Sequence, residues 1–264
     1  MPGARWKNPP AACLRGLKAL IFLFSLLPLA GLGWEAWTDA LGANPIERIT
    51  HTTGWWALAF VLIGLAVTPL RLLAGWPWLG RFRRMLGLFA FFYASLHLLT
   101  YLVLDQFFAW PEILRDIAKR PYITVGFTAF VLLIPLAATS TDGMIRRLGG
   151  QRWRRLHKLV FPIAVAGVLH YWWLVKKDIT EPATFAAILG VLLTARVLHG
   201  IAKSHSGGPS AGVADSMASR STAKRTAVGP STVAAPFLAR RSLAAVTAPE
   251  QCPPQPAVTT VAEE

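Results

Sequence analysis

The sequence predicts an all-α integral membrane protein, a six-transmembrane-helix bundle with both termini in the cytoplasm. Three observations carry that reading. Of the 264 residues, 54% are hydrophobic and only 15% charged, against about a quarter charged in an average soluble domain. The uncharged positions gather into long runs. The basic residues alternate between rich and sparse along successive connections. A net charge of +14 on so apolar a chain excludes a disordered acidic protein and a disulfide-stapled secreted domain. It leaves a nucleic-acid binder with a large core or a membrane protein with basic loops.

The first element follows a basic N-terminus, residues 1–18, which carries Arg5, Lys7, Arg15 and Lys18. The apolar run behind it, 19–34, resembles a signal peptide, but it is long and lacks a small-x-small cleavage site. It reads as a retained span. Runs at 51–70, 85–104, 122–141, 159–175 and 182–195 likewise contain no Asp, Glu, Lys or Arg. A crossing takes about 20 largely apolar residues, with a range of about 17–25. Three runs meet that length outright, and the first and fifth do with flanking residues. The sixth meets it if Arg196 snorkels and the helix continues to Ala202. Six helices is the predicted count, and five is the fallback.

The connections then divide by side. Residues 1–18, 71–84, 142–158 and the stretch from Arg196 onward hold 21 of the 27 basic residues and 5 acidic ones. Residues 35–50, 105–120 and 176–181 hold 6 basic and 8 acidic. Lys and Arg mark the cytoplasmic face, so three short loops face outward. The basic excess is topology, and no nucleic-acid partner is implied. Trp and Tyr gather at the predicted helix ends, among them Trp34, Trp37, Trp110 and Tyr122. That pattern fits interfacial belts as well as an aromatic-rich core.

Beyond residue 203 the composition shifts to Ala, Ser, Thr, Gly and Pro without helical periodicity. Residues 203–264 read as a disordered cytoplasmic tail, with a short Ala-rich helix near 237–246 as an option. No GxGxxG or Walker sequence is present, so no nucleotide-binding domain is attached. Cys13 and Cys252 lie near opposite ends with no CxxC or CxxCH. Zinc, a dithiol motif and covalent c-type haem have no support.

Histidines are the ionisable residues that the spans retain. An imidazole in hydrocarbon is by default a functional-site hypothesis, weighed against a neutral ring bonded to a neighbouring helix. The third helix enters near Met85 and His97 lies 12 residues along it, while the fifth enters near Leu156 and His170 lies 14 along, depths of about 18 and 21 Å. Two neutral imidazoles at matching height can hold a haem iron from both axial sides. Each free ring N–H then needs a carbonyl or hydroxyl partner, with Ser95 and Thr100 both nearby. His157 precedes His170 by 13 residues, a rotation that leaves the two side chains about 140° apart unless Pro162 kinks the helix. The matching depth on the third span holds Arg83 and Arg84. Three roles stay open for His157: ligand of a second haem with an unusual partner, contact to a propionate or flavin phosphate beside the arginines, or interfacial anchor.

The segments NPIERITHTTGWWALAFVLIGLAVTPLR, RRMLGLFAFFYASLHLLTYLVLDQ, LAATSTDGMIRRLGGQRWRRLHKLVFP and VLHYWWLVK resemble the MsrQ (YedZ) family. These are haem-binding membrane subunits of bacterial periplasmic methionine-sulfoxide reductase systems, within the ferric-reductase-like transmembrane group. The resemblance covers roughly residues 10–200 in order and spacing. It implies a b-type cytochrome of the inner membrane that takes electrons from membrane quinol, with FMN as a further cofactor, and passes them through haem b. The implied acceptor is a periplasmic molybdopterin-containing subunit that reduces methionine sulfoxide in proteins. The family's haem-linked histidines fall on His97, His157 and His170. His51, at the outer end of the second span, occupies a position from which a quinol proton is accepted or an outer haem approached.

Two other classes compete. A self-contained ferric reductase needs a cytoplasmic flavin and nicotinamide domain of about 200 residues, which the tail is too short to supply. A haem-free transporter or assembly factor is expected to show broken helices paired in two related halves. Pro28, Pro69, Pro135 and Pro162 have no such relation.

Overall fold

The structure is a computed structural model and describes residues 9–175 and 178–206. Every regular element among them is helical. In order these are α1 (Ala11–Trp37), α2 (Pro45–Ala74), α3 (Arg83–Thr100), α4 (Trp110–Lys119), α5 (Pro121–Ala138), α6 (Asp142–Leu148), α7 (Gly150–Leu156), α8 (Val160–Leu174) and α9 (Thr180–Ser206). A 3₁₀ turn (Pro77–Phe82) leads into α3, and a π turn (Tyr101–Asp105) continues it. The expected tail and the optional helix near 237–246 lie outside the described residues.

Five helical stretches are long and apolar enough to cross a membrane: α1, α2, residues 77–105, α5 and Thr180–Ala202 of α9. That number of apolar crossings is what a multi-pass membrane protein needs. The run predicted at 159–175 differs from the others. It folds as a short 3₁₀ turn (His157–Leu159) followed by α8, which has 15 residues. Pro162 explains the break. A proline in mid-helix clashes with the carbonyl four residues back, here that of Lys158. Starting the α-helix at Val160 places Pro162 in the first turn, where no N–H is needed.

Chain ends of the helices are set locally. Asn44 caps α2 by accepting from the Glu47 N–H at 3.3 Å, and Pro45 occupies its first position. Gly75, with φ 67°, ends it in a left-handed turn. Arg48 pairs with Glu35 at 3.0 Å and ties the start of α2 to the end of α1. On the opposite end of the bundle, Arg84 at the start of α3 pairs with Asp142 of α6. Its guanidinium holds the Asp142 carboxyl below the usual carboxylate range.

Helix α2 is the centre. In the most apolar stretch of each helix, 39% of residues are buried in α2 but only 11% in α1 and in α9. Leu62, Leu65, Phe89, Tyr93, Ala164 and Leu189 build one core from α2, α3, α8 and α9. Ala129, Leu133, Leu136 and Ile163 build a second between α5 and α8. Helix α8 therefore belongs to both. The outward faces of α1 and α9, with Leu23, Phe24, Val191 and Leu198, remain apolar and exposed, as a lipid-facing surface requires.

Arg196 departs from expectation. Instead of snorkelling away along α9, it turns into the bundle, donates to the Leu65 carbonyl of α2 and lies 5.1 Å over the Phe161 ring. One nitrogen of the guanidinium gains an acceptor there and its plane an aromatic face, while its Nε is buried without a partner.

Tyr93 is fully buried, stacks on Phe60 at 5.4 Å and donates to the Ser25 carbonyl of α1 at 2.7 Å. It is a polar tie between α3 and α1. Tyr93→Phe keeps the packing and loses the bond, an expected cost of about 1 kcal/mol. Tyr93→Ala leaves a cavity and costs about 3–5 kcal/mol. Thermal unfolding of the detergent-solubilised protein measures both.

Candidate functional site

The structure brings His97 and His170 together. Their ring centres are 6.1 Å apart with the planes at 82°. His97 lies near the end of α3 and His170 near the end of α8. Each meets the beginning of a neighbouring, antiparallel helix. The Nδ1 of His97 is 2.9 Å from the Thr50 carbonyl of α2, and the Nδ1 of His170 is 2.7 Å from the Tyr122 carbonyl of α5. A carbonyl only accepts, so each Nδ1 carries the proton and each Nε2 is left with its lone pair. The hydroxyls nearby in sequence do not serve: both rings bond backbone carbonyls, while Ser95 donates to the Phe91 carbonyl and Thr100 to the Leu96 carbonyl.

Glycine makes both approaches close. A Cβ at Gly54 would lie 2.9 Å from the His97 Nδ1, and one at Gly126 only 2.7 Å from the His170 Nδ1. Sequence reading missed Thr50, Gly54, Tyr122 and Gly126. A backbone acceptor has no residue signature of its own. The available signal was a glycine four residues after the acceptor in both helices.

Among the described residues no group of three or more His, Cys, Asp or Glu side chains gathers in a way that could hold a bare metal ion. The imidazole pair is instead suited to a metal that brings its own equatorial donors. Two imidazoles on opposite sides of one metal, each about 2 Å from it and with its centre about 1.1 Å further out, stand about 6 Å apart. The observed separation fits that requirement, and so does the donor set.

Of the other candidates, His51 lies on the same end as the pair and His157 apart from it. His51 follows Thr50 directly, is half-exposed, and its Nε2 is 4.0 Å from Glu47. His157 sits at the opposite end of α8, in the 3₁₀ turn. Its ring stacks on Trp153 at 3.9 Å, its Nδ1 is 3.1 Å from the Trp153 carbonyl, and its Nε2 is 3.5 Å from the Ser140 hydroxyl. Trp153 is itself fixed by donating to the Thr139 carbonyl at 2.9 Å. Of the two arginines expected beside His157, Arg84 is taken up by Asp142.

Comparison with known proteins agrees with this architecture. Residues 53–168 match the family of ferric reductase like transmembrane components. The protein-methionine-sulfoxide reductase heme-binding subunit MsrQ of Herminiimonas arsenicoxydans is 53% identical over 210 residues, covering 79% of this chain and 95% of that protein. Its counterpart in Xanthomonas euvesicatoria pv. vesicatoria is 57% identical over 186 residues, covering 68% and 85%. That of Rhodospirillum rubrum is 56% identical over 187 residues, covering 71% and 90%. With identity at this level across most of both chains, the protein belongs to the MsrQ family of ferric-reductase-like membrane proteins.

Proposed function

We propose that the protein is a b-type cytochrome subunit of the bacterial inner membrane. It passes electrons from membrane quinol through haem b to a periplasmic molybdopterin-containing reductase that repairs methionine sulfoxide in proteins. The observation that carries this reading is the imidazole pair, with centres 6.1 Å apart and both Nδ1 atoms bonded to carbonyls. The relatives' names, heme-binding subunits of a protein-methionine-sulfoxide reductase, support both the haem and the class of partner. The quinol source, the molybdopterin and FMN as a further cofactor rest on the family resemblance.

His97 and His170 would hold the iron through their Nε2 atoms. Haem bound there supplies a one-electron couple within the bundle. The chain's own residues fix the rest. The Thr50 and Tyr122 carbonyls lock both tautomers and increase ring basicity. Both rings are part-buried between the helices. His51, half-exposed on the same end, is placed to accept a proton released by a quinol. His157 is the candidate ligand for a second haem at the other end, where its Nε2 lies 3.5 Å from the Ser140 hydroxyl and the Leu136 carbonyl also reaches the ring. A propionate or flavin phosphate contact is the other role open to it there.

The same proposal includes topology. Residues 19–202 form the membrane domain, with residues 1–18 and 203–264 both cytoplasmic and the imidazole pair in the outer half. Helix α8 counts as the sixth crossing. Its 15 residues rise about 22 Å, and the three 3₁₀ residues before it add about 6 Å, close to the roughly 30 Å of hydrocarbon.

Purified protein is expected to be red, with reducible b-type Soret and α bands, and a pyridine haemochrome assay gives the haem per chain. His97→Ala or His170→Ala abolishes or shifts the spectrum. His157→Ala lowers the stoichiometry from two to one if it holds a second haem. A folded but colourless protein overturns the reading. For topology, Cys13 and Cys252 are replaced and single cysteines introduced as Gly150→Cys and Asp178→Cys. The cysteine at 178 is expected to react with an impermeant maleimide from the periplasm, and the one at 150 only after permeabilisation. Reaction of both from one side returns the count to five.

A further inference from the structure

We propose that Gly54 of α2 and Gly126 of α5 are positioning residues that set the two imidazoles, one glycine for each ring. The arrangement occurs twice with the same spacing. His97 bonds the carbonyl of Thr50 and lies against Gly54, four residues on. His170 bonds the carbonyl of Tyr122 and lies against Gly126, also four residues on. In an α-helix the carbonyl of residue i accepts from the N–H of residue i+4. The acceptor each ring uses is therefore the one already paired with the glycine's own N–H. A ring that shares this carbonyl must enter the groove over residue i+4, where a side chain would stand.

The distances show how little room remains. A Cβ at Gly126 would lie 2.7, 2.8 and 3.1 Å from the Nδ1, Cε1 and Cγ of His170. At Gly54 the corresponding distances to His97 are 2.9, 3.0 and 3.6 Å. Contacts this short force the ring away, and withdrawal stretches the Nδ1–H bond that fixes its tautomer. Close approach is not general among the helical glycines. A Cβ at Gly87 or Gly190 meets nothing within 4 Å, and at Gly64 the nearest atom is 4.0 Å away. The steric part of this inference stands on geometry alone. The consequence for a bound iron rests on the haem reading above.

The test uses the full chain in detergent, with Gly54→Ala and Gly126→Ala as probes and Gly87→Ala and Gly190→Ala as controls. Unfolding temperature is measured for all four, for His97→Ala and His170→Ala, and for the doubles Gly54→Ala/His97→Ala and Gly126→Ala/His170→Ala. The probes are expected to unfold roughly 2–10 °C below the parent, as an overpacked methyl would cause. The controls match the parent or exceed it, since alanine favours helix. Each double is expected to unfold no lower than its histidine variant alone, because the conflict disappears with the ring. If a probe fails to accumulate, its double is expected to restore accumulation to the histidine variant's level. On the coloured protein, the probes shift the low-spin resonance signature of the iron and its midpoint potential, and the controls leave both in place. Probes that match the parent in stability and spectrum overturn the proposal, as do doubles that lose as much as both changes added. A colourless parent overturns the haem reading, and the stability comparison still decides the role of the glycines.

Discussion

An N–H in an apolar bundle has no water to bond, and this constraint organises the molecule. His97 and His170 each carry one, and each finds its acceptor on the backbone of another helix. Those two bonds fix which helices must be neighbours: α2 with α3, and α5 with α8. They also fix the register, since the first turns of α2 and α5 must lie level with the last turns of α3 and α8. The two resulting helix pairs are joined by α8, whose Ala164 and Val168 pack in the larger core while Ile163 packs in the smaller. Displacing α8 along its axis would strand an imidazole and open both cores.

The spans were legible because charge is excluded from them, and their boundaries were not legible for the same reason. A run without charge ends where the first Lys or Arg occurs, but a helix does not. Helix α1 begins at Ala11 and so includes Arg15 and Lys18, and α2 runs past Arg71 to Ala74. Helix α4 was invisible to a charge-free criterion. Its ten residues include Glu112, Arg115, Asp116 and Lys119, and only Ile113, Leu114 and Ile117 at helical spacing mark its apolar side. The break before α8 had a visible cause in Pro162. Its position did not follow from sequence, because a proline can be absorbed as a kink or placed in a first turn.

At the site, residue type and depth were enough to single out His97 and His170. They were not enough to show what holds them. Ser95 and Thr100 were close in sequence and chemically suitable, yet a helical hydroxyl has its own carbonyl four residues back, and both use it. The groups that serve, the carbonyls of Thr50 and Tyr122, are common to every residue and emerge only once the helices are packed. His157 shows the same limit. Its surroundings are set by Trp153, whose stacking on the ring has no signature in the sequence.

The two ends of the bundle also differ in how they treat charge. The end that holds Arg83, Arg84, Arg196 and His157 carries formal charges, with Arg84 paired to Asp142 and Arg196 lodged on a carbonyl. At the imidazole pair, among the described residues, no Asp, Glu, Lys or Arg side chain bonds either ring. What remains is local: one carbonyl on each Nδ1–H. Each draws the ring proton toward oxygen and increases electron density at Nε2. The donor strength of the pair is therefore set by two short backbone contacts.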